Sequence, residues 1–257
     1  MRSVLISMVA FLPLLATAQT PLEQGIEWFG RRAEGAVGIR ARPEPMEKAI
    51  PYFQAAMATP KDELKSGIFL IRSFIYKGRF VETERLEQKK TLEKGVKVAE
   101  ALVKKYPTSP ELRFQYICAL GLWGDKMGML EAAKAGIVDR VMTETATLIK
   151  LDPEYHNSMG KRTEGIMNYR VPKIPFLLSW PDKKKALSML KEVLHKYPND
   201  MGNIYYYGEA LYENDQPEQA KVYLNRVMTI SPDPEFVLEH RAMHDDARKL
   251  LKRINGN

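Results

Sequence analysis

Five prolines measure out this chain. Pro60, Pro107, Pro153, Pro198 and Pro232 each follow a stretch with helical apolar spacing, in the steps "MATP", "KYP", "LDP", "KYP" and "ISP". The intervals between them are 47, 46, 45 and 34 residues. Spacing this regular implies a stack of helical hairpins in which no hairpin buries its apolar face alone and each neighbour supplies the missing part of the core. Period-2 alternation of β-branched residues is absent from any long stretch, so the fold class is all-α, a solenoid of antiparallel helix pairs. With 257 residues, 45% of them hydrophobic and 28% charged, the chain can build one such domain over 19–257.

The last interval is the most specific. A 34-residue unit closed by Pro232 spans 201–234 and puts the small residues Gly208 and Ala220 where its two helices cross closely. Ile204, Tyr207, Leu211, Leu224 and Val227 then fill the grooves between hairpins, and Asn214-Asp215-Gln216-Pro217 turns between the helices, with Pro217 in the first turn of the second. These positions together resemble a tetratricopeptide repeat. The second helices of other units share the pattern: Ala186, Leu190 and Val193 before Pro198, and Gly95, Ala99 and Leu102 before Pro107. Ala49, Phe53 and Ala56 fit with a slip of one residue, and Val141 stands at a small position in "DRVMTETATLIKLDP".

Two inter-helix connections are expected to be long, Leu120 to Gly136 and Gly165 to Ala186. In the second, Pro172, Pro175 and Pro181 break the helix and leave Tyr169, Phe176 and Trp180 exposed. Aromatic loops held by a rigid scaffold make binding surface, so the candidate binding residues are Trp123, Tyr169, Arg170 and Trp180. Arg170 would meet a carboxylate on a solute or an acidic partner side chain. Tyr205 and Tyr206 join the candidates, because three successive tyrosines point about 100° apart and only Tyr207 suits the core.

The order "ALGLWGDKMG", "KLDPEY", Arg170-Val171-Pro172-Lys173-Ile174-Pro175 and "SWPDKKKAL" is similar to the T-component proteins of tripartite ATP-independent periplasmic (TRAP) transporters, over roughly Leu112 to Asp233. The resemblance implies a periplasmic helical-repeat protein that passes a small organic solute to or from a solute-binding protein. Some of these proteins are trimers with a channel through each subunit, so a homo-oligomer is implied as well. The lipid-anchor cysteine of such proteins is missing here, the one cysteine being Cys118 in "FQYICALGLW". A protein-interaction scaffold in an envelope complex is the alternative.

The first 18 residues form a separate segment. Arg2, the apolar run from Val4 to Leu15 and the small-x-small end Ala16-Thr17-Ala18 read as a cleavable export signal, which makes the mature chain periplasmic or envelope-associated. The formal net charge is +7, but Lys and Glu alternate along the chain and no basic run exceeds Lys183-Lys184-Lys185, so no nucleic-acid partner is expected. No nucleophile motif, phosphate loop or dinucleotide fingerprint occurs, and neither catalysis nor a cofactor is expected. His240 and His244 lie one turn apart in "EHRAMHDDA" with Arg241 where a zinc protease needs Glu, and they read as a solvated helix face, not a metal site. Cys118 reads as an inert buried thiol.

Overall fold

The computed structural model describes residues 19–174 and 176–256, so the expected export signal lies outside the described residues. Among these the structure has twelve α-helices, a π-helical turn at Lys77–Val81, a 3-10 turn at Pro234–Phe236 and two isolated β-bridges. Five hairpins follow one another. They are α1 (Pro21–Gly30) with α2 (Glu44–Ala56), α3 (Glu63–Tyr76) with α4 (Arg85–Lys105), α5 (Pro110–Met127) with α7 (Ile137–Leu151), α8 (Tyr155–Arg170) with α9 (Lys183–Lys196), and α10 (Met201–Glu213) with α11 (Pro217–Thr229). A short helix, α6 (Met129–Lys134), interrupts the third pair, and α12 (Val237–Ile254) closes the stack. All five prolines that set the period stand within four residues after a second helix, where a residue without an N–H ends the helical ladder. Starts are set locally too: Thr20 and Glu23 form a capping box, and the side chains of Ser109, Asp182 and Asp200 accept backbone N–H bonds at the heads of α5, α9 and α10.

One steric device recurs in every hairpin. The first helix carries a glycine under a large side chain of the second: Gly25 under Phe53, Gly67 under Leu102, Gly124 under Ile137, Gly165 under Leu190 and Gly208 under Leu224. A Cβ on these glycines would come within 2.6 Å of Phe53, 3.2 Å of Ile137, 2.8 Å of Leu190 and 3.3 Å of Leu224. The pairs therefore pack closer than two ordinary helices could. The expected core positions of the second helices, Ala49, Phe53, Ala56, Gly95, Ala99, Leu102, Val141, Ala186, Leu190, Val193, Ala220, Leu224 and Val227, are all buried.

Most successive first helices touch one another, α1 with α3, α3 with α5, α8 with α10 and α10 with α12, with α5 and α8 the exception, whereas no two successive second helices make a contact of this extent. This asymmetry curves the stack with the first helices inside. The curvature brings the end back to the start. Leu238 of α12 is fully buried in the core of the first hairpins with Leu22, Phe29 and Phe53, Arg241 donates to the carbonyl of Gly38 at 3.3 Å, and Arg32 donates to that of Glu235.

The two long connections differ from expectation. Leu120–Met127 belongs to α5, because no proline interrupts it before the positive-φ Gly128 and packing of Gly124 on Ile137 and Ala132 offsets the low helix propensity of glycine. In the second, α8 continues to Arg170 and buries Tyr169, which the sequence placed in an exposed loop; the extended stretch begins at Val171, just before Pro172.

The repeated Lys-Tyr-Pro has a structural use. Lys105 and Tyr106 both bond the carboxylate of Glu63, with the Tyr106 hydroxyl donating at 2.7 Å, and Lys196 and Tyr197 do the same to Glu154, with Lys196 at 2.6 Å. Each tripeptide thus ties the end of a second helix to the head of the first helix of its own unit. The lysine and then the tyrosine hold both carboxyls below their ordinary value of 4.5. A depressed carboxyl pKa adds stability above the unfolded value, lost as pH falls through the folded one. The double variant Glu63→Gln/Glu154→Gln should therefore melt with a shallower pH dependence than the parent between about pH 5 and about pH 3, as read by circular dichroism. Gly208→Leu should cost about 1–3 kcal/mol in urea unfolding by overpacking against Tyr223 and Leu224, and an unchanged midpoint would show that this crossing has slack.

Candidate functional site

The inner wall is most polar where α8 meets α10. The head of α8 opens with a turn that few sequences tolerate: His156, Asn157 and Ser158 all have φ in the left-handed region, at 42°, 60° and 60°. For residues other than glycine this costs roughly 1–2 kcal/mol each, so surrounding contacts must hold it. Asn157 donates to Asp200 at 3.0 Å, and Ser158 donates to Glu154. A cavity of about 380 Å³ borders the turn along Asn157 and Lys196–Asp200, and one of about 210 Å³ lies beyond it among Ser158, Lys161 and Glu192.

Asp200 connects the turn to the seam. Its carboxylate accepts from Arg162 at 2.7 Å and from the backbone N–H of Asn203 at 2.8 Å, and Arg162 also donates to the side-chain oxygen of Asn203 at 2.9 Å. Burial acts to raise the pKa of Asp200, but Arg162 and the hydrogen bonds outweigh it and hold the group ionised below its ordinary value. Asn203 is 1% exposed, and its amide nitrogen has no hydrogen-bond partner. An unpaired buried amide costs about 1–3 kcal/mol.

One turn further along, Tyr206 lies beside two arginines. The guanidinium carbons of Arg162 and Arg170 are 5.9 and 5.3 Å from its ring centroid, within cation–π range. Arg170 is half exposed and pairs with Glu209, which also accepts the hydroxyl of Tyr169. Burial raises the pKa of Tyr169 well above the phenol value, so it stays a neutral donor. The wall thus combines two cations, an aromatic face and an unpaired amide donor. Arg162 and Arg170 are themselves paired with Asp200 and Glu209, so the part of the wall open to a planar or anionic group is the half-buried Tyr206 ring flanked by the exposed Arg170.

Of the expected site residues, Tyr169, Arg170 and Tyr206 come together here. Tyr205 stacks edge-on against Tyr206 with ring centroids 5.1 Å apart, but it is buried in the core of the last two hairpins; the helical angle that turns Tyr206 to the wall turns Tyr205 under α12. Trp123 and Trp180 are elsewhere. Both are half buried against the middle core, Trp123 from α5 and Trp180 from the extended segment whose Val171 and Leu178 join that core. His240 accepts from the backbone N–H of Asp233 at 3.0 Å, and His244 lies 3.1 Å from the carbonyl of Val227, so both serve the packing of α12 in place of a solvated face. The Cys118 thiol is pushed up to about 12 by burial. The sequence reading missed Arg162, Asp200, Asn203 and Glu209. Of these only Asp200 carried a local signal, as the cap in "PNDMGN".

Residues 182–237, from the cap of α9 to the first residue of α12, match a family model described as tetratricopeptide repeat. No curated protein matches the chain. The match covers α9 to α11, so the α10 side of the wall lies inside a recognised repeat and the α8 side before it.

Arg162→Met strands a buried carboxylate and a second amide group, and should lower the stability by about 3–5 kcal/mol in denaturant unfolding. Adding Asp200→Asn to Arg162→Met should recover part of that loss, whereas purely additive effects would show that the two groups act separately.

Proposed function

We propose that this chain is an exported, non-enzymatic binding protein of the bacterial envelope, whose α8/α10 wall receives a carboxylate-bearing group from a periplasmic solute-binding protein or from a small organic solute. A tetratricopeptide repeat is a protein-interaction module, typically without catalysis, and this is the general basis of the reading. The observation that carries it is the row Arg162, Tyr206, Arg170, with the unpaired amide of Asn203 beside it. A buried donor without a partner is destabilising unless something else supplies the acceptor. A carboxylate is the group for which two guanidinium neighbours and an amide donor are all favourable.

The closure of the stack by α12 narrows the form of the ligand. With Leu238 seated in the first core, the inner face is not an open trough along all five hairpins. A compact group, a single acidic side chain or a small organic acid, fits this better than a long extended peptide. The TRAP resemblance of the stretch from Leu112 to Asp233 supplies the physiological setting: a handover partner for a solute-binding protein.

The test compares the parent with Tyr206→Ala and Arg170→Ala, first by affinity capture from an envelope fraction and then by titration with the captured protein or its solute. Loss of at least about tenfold in affinity with an unchanged melting temperature is expected, as removal of a charge-assisted contact implies. Equal binding by all three proteins would sink the reading. Lost stability with intact binding at low temperature would assign the wall to packing.

A further inference from the structure

We infer that one edge of the stack, opposite the Lys-Tyr-Pro clamps, docks on an anionic membrane surface. The edge is made of the connections within hairpins, and these lie side by side. Ala41 donates to the carbonyl of Phe80 at 2.9 Å and Arg40 to that of Glu82 at 3.0 Å, Arg85 donates to the carbonyl of Lys126 at 3.0 Å, Val171 and Leu178 share a core with Ala132 and Ala133, and Asn214 donates to the carbonyl of Lys183 at 3.0 Å.

Along this edge the described residues expose Val37 in the first connection, Met129 and Leu130 in the third and Phe176 and Leu177 in the fourth, with Leu86 in the first turn of α4 beside the second. The remaining exposed large apolar side chain, Val222, is on α11. Phe176 is the extreme case. It stands at the tip of a small loop closed by Ile174 and Leu178, with φ at 64° and its ring wholly in solvent. A bulky side chain in the left-handed region is disfavoured, and here no packing compensates.

Charge points to the occupant. Segment 31–42 holds four basic residues and one acidic, and segment 171–185 the same, whereas 77–84 and 128–136 are balanced, so the positive charge is concentrated at the first and fourth connections. Arg40, Arg42, Lys173 and Lys184 among them are exposed. The opposite edge carries Asp152, Asp200 and Asp233 together with the lysine-paired Glu63 and Glu154. Apolar side chains scattered singly among cations along a row do not form the compact, desolvated centre of a protein interface. They do match a bilayer interface, where each ring or aliphatic group enters the headgroup region and each cation meets a lipid phosphate. No described helix is long and apolar enough to cross the membrane, so this is surface docking. The inference is independent of what the α8/α10 wall binds.

The test uses the full chain with vesicles of phosphatidylcholine and phosphatidylglycerol in a roughly 2:1 ratio, acyl-brominated to quench indole. Phe176→Trp should be quenched beyond the parent, and Val222→Trp should not. Phe176→Ser/Leu177→Ser and Lys173→Glu/Lys184→Glu should each weaken vesicle binding at least about tenfold, with unchanged melting temperatures. Binding should also fall at high salt and with phosphatidylcholine alone. Equal quenching at 176 and 222, binding held only by the first 18 residues with no quenching at 176, or equal binding to neutral vesicles would overturn the inference. So would variants that lose self-association while binding vesicles like the parent, which would make the edge a protein interface.

Discussion

A glycine on each first helix lets the second helix of its pair approach until a leucine, isoleucine or phenylalanine sits directly over the backbone. Gly25, Gly67, Gly124, Gly165 and Gly208 do this in turn, and the remaining architecture follows from it. Close pairing moves apolar contact to the flanks of each hairpin, where only the next hairpin can bury it. First helices then pack on first helices while second helices diverge, and the resulting curvature carries α12 back to the first core. Closure fixes the inner wall and both edges at once.

The two edges have opposite chemistry for different physical reasons. On one edge the heads of first helices meet the ends of second helices, so carboxylates sit where helix N-termini favour negative charge and lysines where C-termini favour positive charge. The Glu63 and Glu154 clamps are of this kind. The other edge has helix termini as well, with Glu44 and Asp182 at the heads of α2 and α9, but its first and fourth connections are long enough to add exposed apolar and basic side chains. Between the edges, the α8/α10 wall carries polar groups whose hydrogen bonding is incomplete, at a cost that stabilisation of the fold does not account for. A strained turn, an unpaired amide and two arginines beside one ring lie along the α8/α10 seam.

Much of this was legible in order along the chain. Prolines at a near-constant interval, small residues at Gly95, Ala186, Gly208 and Ala220 and apolar residues at helical spacing determined the fold class, the number of hairpins and most of the buried faces, because helix stops and amphipathic stripes are local properties of sequence. The same local character explains where the reading failed. Glycines in "ALGLWGDKMG" suggested a loop, since nothing local to them reveals that Ile137 and Ala132 pack over Gly124 and keep α5 intact. Tyr169 and Arg170 stand among the sequence candidates with Trp123 and Trp180, yet their common partner Glu209 lies 40 and 39 residues away.

By itself, then, the sequence determined an all-α stack of hairpins and named Tyr169, Arg170 and Tyr206 among its candidate contacts. Only the tertiary structure decided that Trp123 and Trp180 belong to a different core, that Arg162 joins Asp200 and Asn203 to the same wall, and that the stack closes on itself through Leu238. The physical reason is distance along the chain. A cap, a stop or an apolar stripe is decided within a few residues, whereas an ion pair spanning 38 residues or a contact between the two ends of the stack exists only after five hairpins have added their small rotations.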